Sequence, residues 1–187
     1  MDLIPDSKQI EDDAKESEVK LIEHRIPFLS VGLIGGMVLT LFSSRFEGLL
    51  SQNINLVFFI PVIVYMSGAV GTQTETIYIR NIGRKQLKFS AYLFKELLTG
   101  IALGIVFGLA IGLFAYFWLN SFKVALTIGI AMLVNVAIAP ILALFIARFL
   151  QKEKSDPALG AGPFTTVLED IISLGIYFLI ASVIIFN

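Results

Sequence analysis

The sequence has no cysteine and a single histidine, His24. Without cysteine there is no disulfide, no zinc–thiolate site, no iron–sulfur cluster and no thiol nucleophile. There is no HExxH, no GxSxG and no glycine-rich phosphate loop, so the common hydrolase and nucleotide-binding chemistries have no residues to act through. Charge is also scarce. Only 16% of residues are charged and the net charge is −1, which leaves no basic surface for nucleic acid. An amino-terminal secretory signal is missing too, because the first apolar run follows about 25 polar, acid-rich residues rather than a short basic stretch.

Apolar residues fill the space that charge leaves. They make up 56% of 187 residues, and the mean hydropathy is +0.83. A water-soluble domain of this length has too large a surface for its volume to hide so much apolar area. A bilayer removes that difficulty, and each crossing takes about 20 apolar residues. Five such runs are present, near 27–44, 55–79, 92–119, 124–149 and 163–186. The expected fold is therefore an all-α membrane protein with five transmembrane helices. Residues 1–26 carry eight acids against Lys8, Lys15, Lys20 and Arg25 and read mainly as a solvated cytosolic tail, with a surface helix over 10–26 leading into the membrane as the alternative, and residues 27–187 form the membrane domain.

Every Lys and Arg except Arg45 and Lys123 falls on one side of this arrangement. The positive-inside rule then puts the amino terminus in the cytosol and the carboxy terminus outside, in a multi-pass protein of the cytoplasmic membrane. Gly100, Gly104, Gly108 and Gly112 recur every fourth residue on one face of the third span. Glycine lets helix backbones approach closely in lipid, so this face is expected to pack tightly, either within the protomer or against a second copy.

Acids inside apolar spans carry the functional signal. A carboxylate at the bilayer centre costs roughly 2.5–3.5 kcal/mol on insertion scales, and such groups usually face a partner or a pathway. The candidates are Glu75, Glu96, Glu169 and Asp170. Asp170 lies about seven residues into the fifth span, on a polar stripe with Thr166, Ser173 and Tyr177 spaced four, three and four. It reads as a cation site in a water-filled pore, or as an acid bonded to a neighbouring helix. Glu169 is turned about 100° away and reads as a bond to another helix or a lining of the vestibule. Glu96 follows Lys95 and reads as half of a salt bridge.

In the second span, Ser67, Gly68, Gly71, Thr72, Gln73 and Glu75 interrupt the apolar run, downstream of Pro61. An unwound backbone is expected there, with freed carbonyls lining a pore and Glu75 concentrating cations at its cytosolic mouth; the alternative is a glycine-softened packing contact. Asn135 and Pro140 suggest a kink in the fourth span. Carboxylates, hydroxyls and carbonyls are hard oxygen ligands, which suit Mg²⁺, Ca²⁺ and Mn²⁺. Mg²⁺ keeps several of its waters, so few carboxylates among many neutral oxygens fit it well.

The run Phe59-Ile60-Pro61-Val62 through Gly68-Ala69-Val70-Gly71-Thr72-Gln73-Thr74-Glu75-Thr76 to Arg80 resembles the second-span signature of the MgtE magnesium channels. The stretch Asp156-Pro157-Ala158-Leu159 through Pro163 to Asp170 and Tyr177 is similar to that family's fifth span. The resemblance implies a homodimer in the lipid bilayer, with a pore on the dimer axis lined by the second and fifth helices of both copies. It implies hydrated Mg²⁺ as the transported ion, held by paired Asp170 carboxylates with help from backbone near Gly68 and Thr166. Ala69 and Thr72 stand where the family has asparagines, and the family's large cytosolic sensor is not in this sequence. Regulation would then come from elsewhere, for instance from a separate regulatory subunit. Two other readings stand beside the channel: an exchanger that couples Mg²⁺ to Na⁺ or H⁺, and a membrane scaffold with no pathway of its own.

Overall fold

The computed structural model describes residues 17–82, 88–152 and 162–186. The tail through residue 16, the loop holding Arg84 and Lys85 and the loop holding Lys154 and Asp156 lie outside the described residues. Among the described residues every regular element is helical. In chain order they are α1 (Glu18–Ser44), the short α2 (Glu47–Gln52), a 3₁₀ segment (Ile54–Phe59), α3 (Ile60–Ile82), α4 (Phe89–Leu119), α5 (Phe122–Lys152) and α6 (Gly162–Phe186).

Five stretches are long and apolar enough to span a membrane: Glu18–Ser44, Ile54–Asn81, Phe89–Leu119, Phe122–Phe149 and Thr165–Ile185. The protein is thus an all-α membrane protein with five spans, as the apolar runs indicate. Two boundaries differ from the sequence reading. The first helix begins at Glu18 and runs straight through Pro27 rather than starting there. The connection after it is not a plain loop, because α2 and the 3₁₀ segment lead the chain back to α3.

The layout follows from which faces are small. α5 is the central helix and packs against α3, α4 and α6, while α1 packs on α6. Ile128, Ala131, Met132, Val136, Ala139 and Leu144 of α5 are buried. The glycine face of α4 meets α5 inside one protomer, which settles the two packings the sequence left open. A Cβ on Gly104 would stand 2.6 Å from the Leu133 carbonyl oxygen, and one on Gly108 would stand 2.6 Å from that of Gly129. Only glycine permits the two backbones to lie so close. The other faces of α1 and α4 keep large apolar residues exposed, among them Leu33, Leu41, Leu109 and Phe117, as lipid contact requires.

Aromatic clusters mark both ends of the bundle. Phe59, Phe114 and Trp118 group at one end. Tyr78, Phe89 and Tyr92 group at the other, where the Arg148 guanidinium lies 4.2 Å from the centre of the Phe89 ring. Such belts, with a cation beside them, suit the two polar boundaries of a bilayer.

Candidate functional site

The second span corrects one expectation outright. α3 is a continuous α-helix through Ser67–Thr76, and no glycine in the described residues has a positive φ. Its carbonyls are therefore engaged in the helix and are not freed by a break. What the glycines supply is open or contacted surface. Gly68 has nothing within 4 Å of the position a Cβ would take, whereas Gly71 is covered.

α3 presents two polar faces. Pro61, Tyr65, Thr72 and Thr76 are exposed, and Gly68 lies among them at spacings of three and four. They form one helical stripe open to the outside of the protomer. The Thr76 hydroxyl donates to the Thr72 carbonyl at 2.8 Å, so this stripe satisfies part of its own polarity. Gln73 is exposed beside it. Ser67, Thr74 and Tyr78 are buried, and Glu75 is half-buried, so the opposite faces carry their polar groups into the bundle.

The stripe on α6 divides in the same way. Thr166 is exposed and Asp170 is half-buried, but Ser173 and Tyr177 are fully inside the protomer. Tyr177 donates its hydroxyl to the Leu56 carbonyl at 2.7 Å, tying α6 to the 3₁₀ segment. Ser67, Ser173 and Tyr177 thus sit behind the exposed surface, while Gly68, Thr72, Gln73, Thr166 and Asp170 belong to it or border it.

Glu169 turns inward. It is 3% exposed, and its carboxyl rests on Gly71, so closely that a Cβ there would collide with Oε1. Oε1 has no hydrogen-bond partner, and neither does the buried hydroxyl of Thr165 one turn earlier. Glu75 and Asp170 are the charged groups that act on Glu169 electrostatically. The Thr74 hydroxyl donates to Glu96 Oε2 at 3.3 Å, linking α3 to α4 near Tyr92. Asn135 is buried and bonds the Ala131 carbonyl of its own helix at 2.9 Å, and α5 passes through Pro140 without a break.

The sequence reading missed Thr165. A threonine near Pro163 at the start of an apolar run looks like ordinary helix initiation, and only the tertiary packing of α6 makes it an unpartnered buried group. Among the described residues, no group of three or more His, Cys, Asp and Glu is placed to hold a metal. A cation at Asp170 in one protomer would therefore meet one carboxylate, neutral oxygens and water.

A family model described as MgtE, divalent cation transporter, matches residues 60–180. A magnesium transporter MgtE of Enterococcus faecalis is 33% identical over 174 residues, covering 91% of this chain and 38% of that protein. One of Bacillus subtilis is 32% identical over 160 residues, covering 84% and 35%. One of Thermus thermophilus is 26% identical over 161 residues, with the same shares of 84% and 35%. The chain spans little more than a third of the length of these relatives. The matched region begins at the first turn of α3, ends near the last turns of α6 and contains all the intramembrane acids described above. With five apolar spans and this match, the chain is a multi-pass membrane protein that belongs to the MgtE family of divalent cation transporters.

Proposed function

We propose that the chain carries divalent cations, Mg²⁺ foremost, along the twofold axis of a homodimer. The single observation that carries this reading is the polar face left open on α3 and α6. Thr72, Thr76 and Thr166 are exposed on spanning helices, Gly68 has open space where a Cβ would stand, and Asp170 is half-buried one turn from Thr166. Lipid cannot satisfy a carboxylate at membrane depth, whereas water or a second copy can. One protomer has one such strip, too little to enclose a path, and a twofold operation supplies the second.

In this arrangement the two Asp170 carboxylates face each other across the axis and repel unless a cation lies between them. Each contributes charge rather than a full coordination shell. Mg²⁺ dehydrates reluctantly, so the ion keeps its waters and the waters donate to Asp170 and to neutral oxygens nearby. Gly68 leaves the backbone open for a bulky hydrated ion to pass. Thr72, Gln73 and Thr166 supply hydroxyl and amide oxygens along the way. The basic residues put the amino terminus inside, with Arg80, Lys88 and Arg148 at the cytosolic end. The known relatives named above are magnesium transporters, which supports Mg²⁺ as the ion.

Flux through the purified protein in liposomes tests the proposal. Mg²⁺ entry driven by its own gradient supports a channel. Entry that requires a Na⁺ or H⁺ gradient supports an exchanger, and no entry under either condition contradicts transport. Crosslinking in mild detergent should give a dimer, and a transporting monomer would contradict the axial path.

A further inference from the structure

Two oxygens on one face of α6 are sealed from solvent with nothing to bond. Glu169 is 3% exposed and Thr165 is 4% exposed, and Glu169 Oε1 and Thr165 Oγ1 both lack a hydrogen-bond partner. They are four residues apart, so they lie one above the other, separated by about one 5.4 Å turn. Buried polar groups in native proteins are almost always partnered, and an orphaned carboxylate oxygen needs an explanation.

What faces them is α3. The Glu169 carboxyl rests on Gly71, and Tyr177, further along α6, bonds Leu56, earlier along the second span. The two helices therefore run antiparallel. One turn beyond Gly71 on the same face comes Glu75, and one turn before Glu169 comes Thr165. The antiparallel register brings Glu75 level with Thr165. The charged groups acting on Glu169 are Glu75, from α3, and Asp170, from its own helix, and both are negative.

We infer that Glu75, Thr165 and Glu169 form a divalent-cation site between α3 and α6 inside each protomer, apart from the axial position of Asp170. Two carboxylates balance a divalent charge, and a hydroxyl completes a set of hard oxygen ligands. A bound ion would give the orphaned Glu169 and Thr165 oxygens their missing partner. Because no three carboxylates converge among the described residues, the ion keeps several waters, which is the binding mode of Mg²⁺ rather than of a dehydrated Ca²⁺ cage. Occupancy ties α6 to α3 one residue from Asp170 and so acts on the position of that carboxylate. The inference goes beyond the transport reading and does not need Asp170 to be an ion site.

Mn²⁺, a paramagnetic substitute for Mg²⁺, serves as the probe, titrated into the purified full chain in detergent and followed by electron paramagnetic resonance. The background is Asp170→Asn, which removes the axial carboxylate. Saturable Mn²⁺ binding should persist there and be displaced by Mg²⁺ and not by Na⁺. Adding Glu169→Gln, or separately Glu75→Gln, should weaken it more than tenfold, since even outer-shell partners of a metal are worth about 10–100-fold in affinity. Thr165→Val should weaken it less. Glu75 is half-buried and its substitution leaves the Gly71 contact untouched, so that variant decides the matter if Glu169→Gln does not fold. No saturable binding in the Asp170→Asn protein, or binding indifferent to Glu75→Gln, overturns the site. Displacement by Na⁺ as effective as by Mg²⁺ overturns the divalent assignment. Transport that survives Asp170→Asn contradicts the axial pathway alone, so the two readings fail separately.

Discussion

The Glu169 carboxyl occupies the space that a side chain at position 71 would fill, over Gly71. This contact joins the two helices that also carry the exposed polar strip. It fixes how α6 is rotated on α3, and therefore where Asp170, the next residue, is held.

The contact makes a direct prediction for Gly71. Gly71→Ala places its methyl group against the Glu169 carboxyl, the far end of a flexible side chain that must swing aside, and should destabilise the protein by about 1 kcal/mol, the low end of overpacking costs. Gly68→Ala meets nothing within 4 Å and should leave stability unchanged. Thermal unfolding of the two variants in detergent separates them. Equal stability of both would mean that α6 is not seated on Gly71.

A similar comparison applies to the α4–α5 seam. Gly104→Ala and Gly108→Ala each place a methyl group against a backbone carbonyl of α5, which cannot rotate away. Each should lower stability by about 1–3 kcal/mol. Gly36→Ala, on an open face of α1, should be neutral, because its added methyl touches nothing. Stability readings that ranked Gly36→Ala with the α4 variants would contradict the seam.

How much of this was legible beforehand depends on range. The five spans are readable because an apolar run is a local property, and each run became a helix. The glycine spacing of α4 was readable as close packing, but its partner was not, since Gly104 and Leu133 are brought together by a turn near Asn120. Acids up to Glu23 look solvated and Pro27 looks like a boundary, yet α1 begins at Glu18 and runs through both. In α3 the glycines and polar residues suggested a broken backbone, and the helix instead stays whole and uses Gly71 as a seat. The Glu169–Gly71 and Tyr177–Leu56 pairs span about a hundred residues, and no short-range pattern announces them. Asp170 stands out in the sequence through its cost, since an acid in an apolar helix needs a reason.

Tyr177 supplies a prediction about the far end of the fold. Its hydroxyl bonds the Leu56 carbonyl at 2.7 Å in a fully buried setting. Tyr177→Phe keeps the ring and removes the donor, so it should cost about 0.5–1.5 kcal/mol, or somewhat more if the carbonyl is left without a partner. Mg²⁺ flux should persist, because Tyr177 sits behind the exposed strip. A Tyr177→Phe protein that is fully stable but blocked in transport would place this hydroxyl in the pathway.

Recognition through water predicts a particular selectivity. Ions with a tight shell of six waters, as Mg²⁺ has at about 2.0–2.1 Å, should share the path, and Ca²⁺ with its looser shell should be disfavoured. Co²⁺, Ni²⁺ and Mn²⁺ should therefore compete. Cobalt hexaammine, a rigid copy of a hydrated ion, should block flux. Free passage of Mg²⁺ in its presence, together with direct ligation by Asp170 at about 2.1 Å, would point to a site that strips the ion of water.

The most direct test of the central claim is Mg²⁺ flux into liposomes holding the wild-type chain or its Asp170→Asn variant, with equal amounts of folded protein. Asparagine has the shape of aspartate without its charge, so the fold and the dimer should survive. The axial account predicts that flux falls by roughly tenfold or more, as for the loss of a group worth at least 1.4 kcal/mol to the ion. Flux at the wild-type level in Asp170→Asn would contradict it.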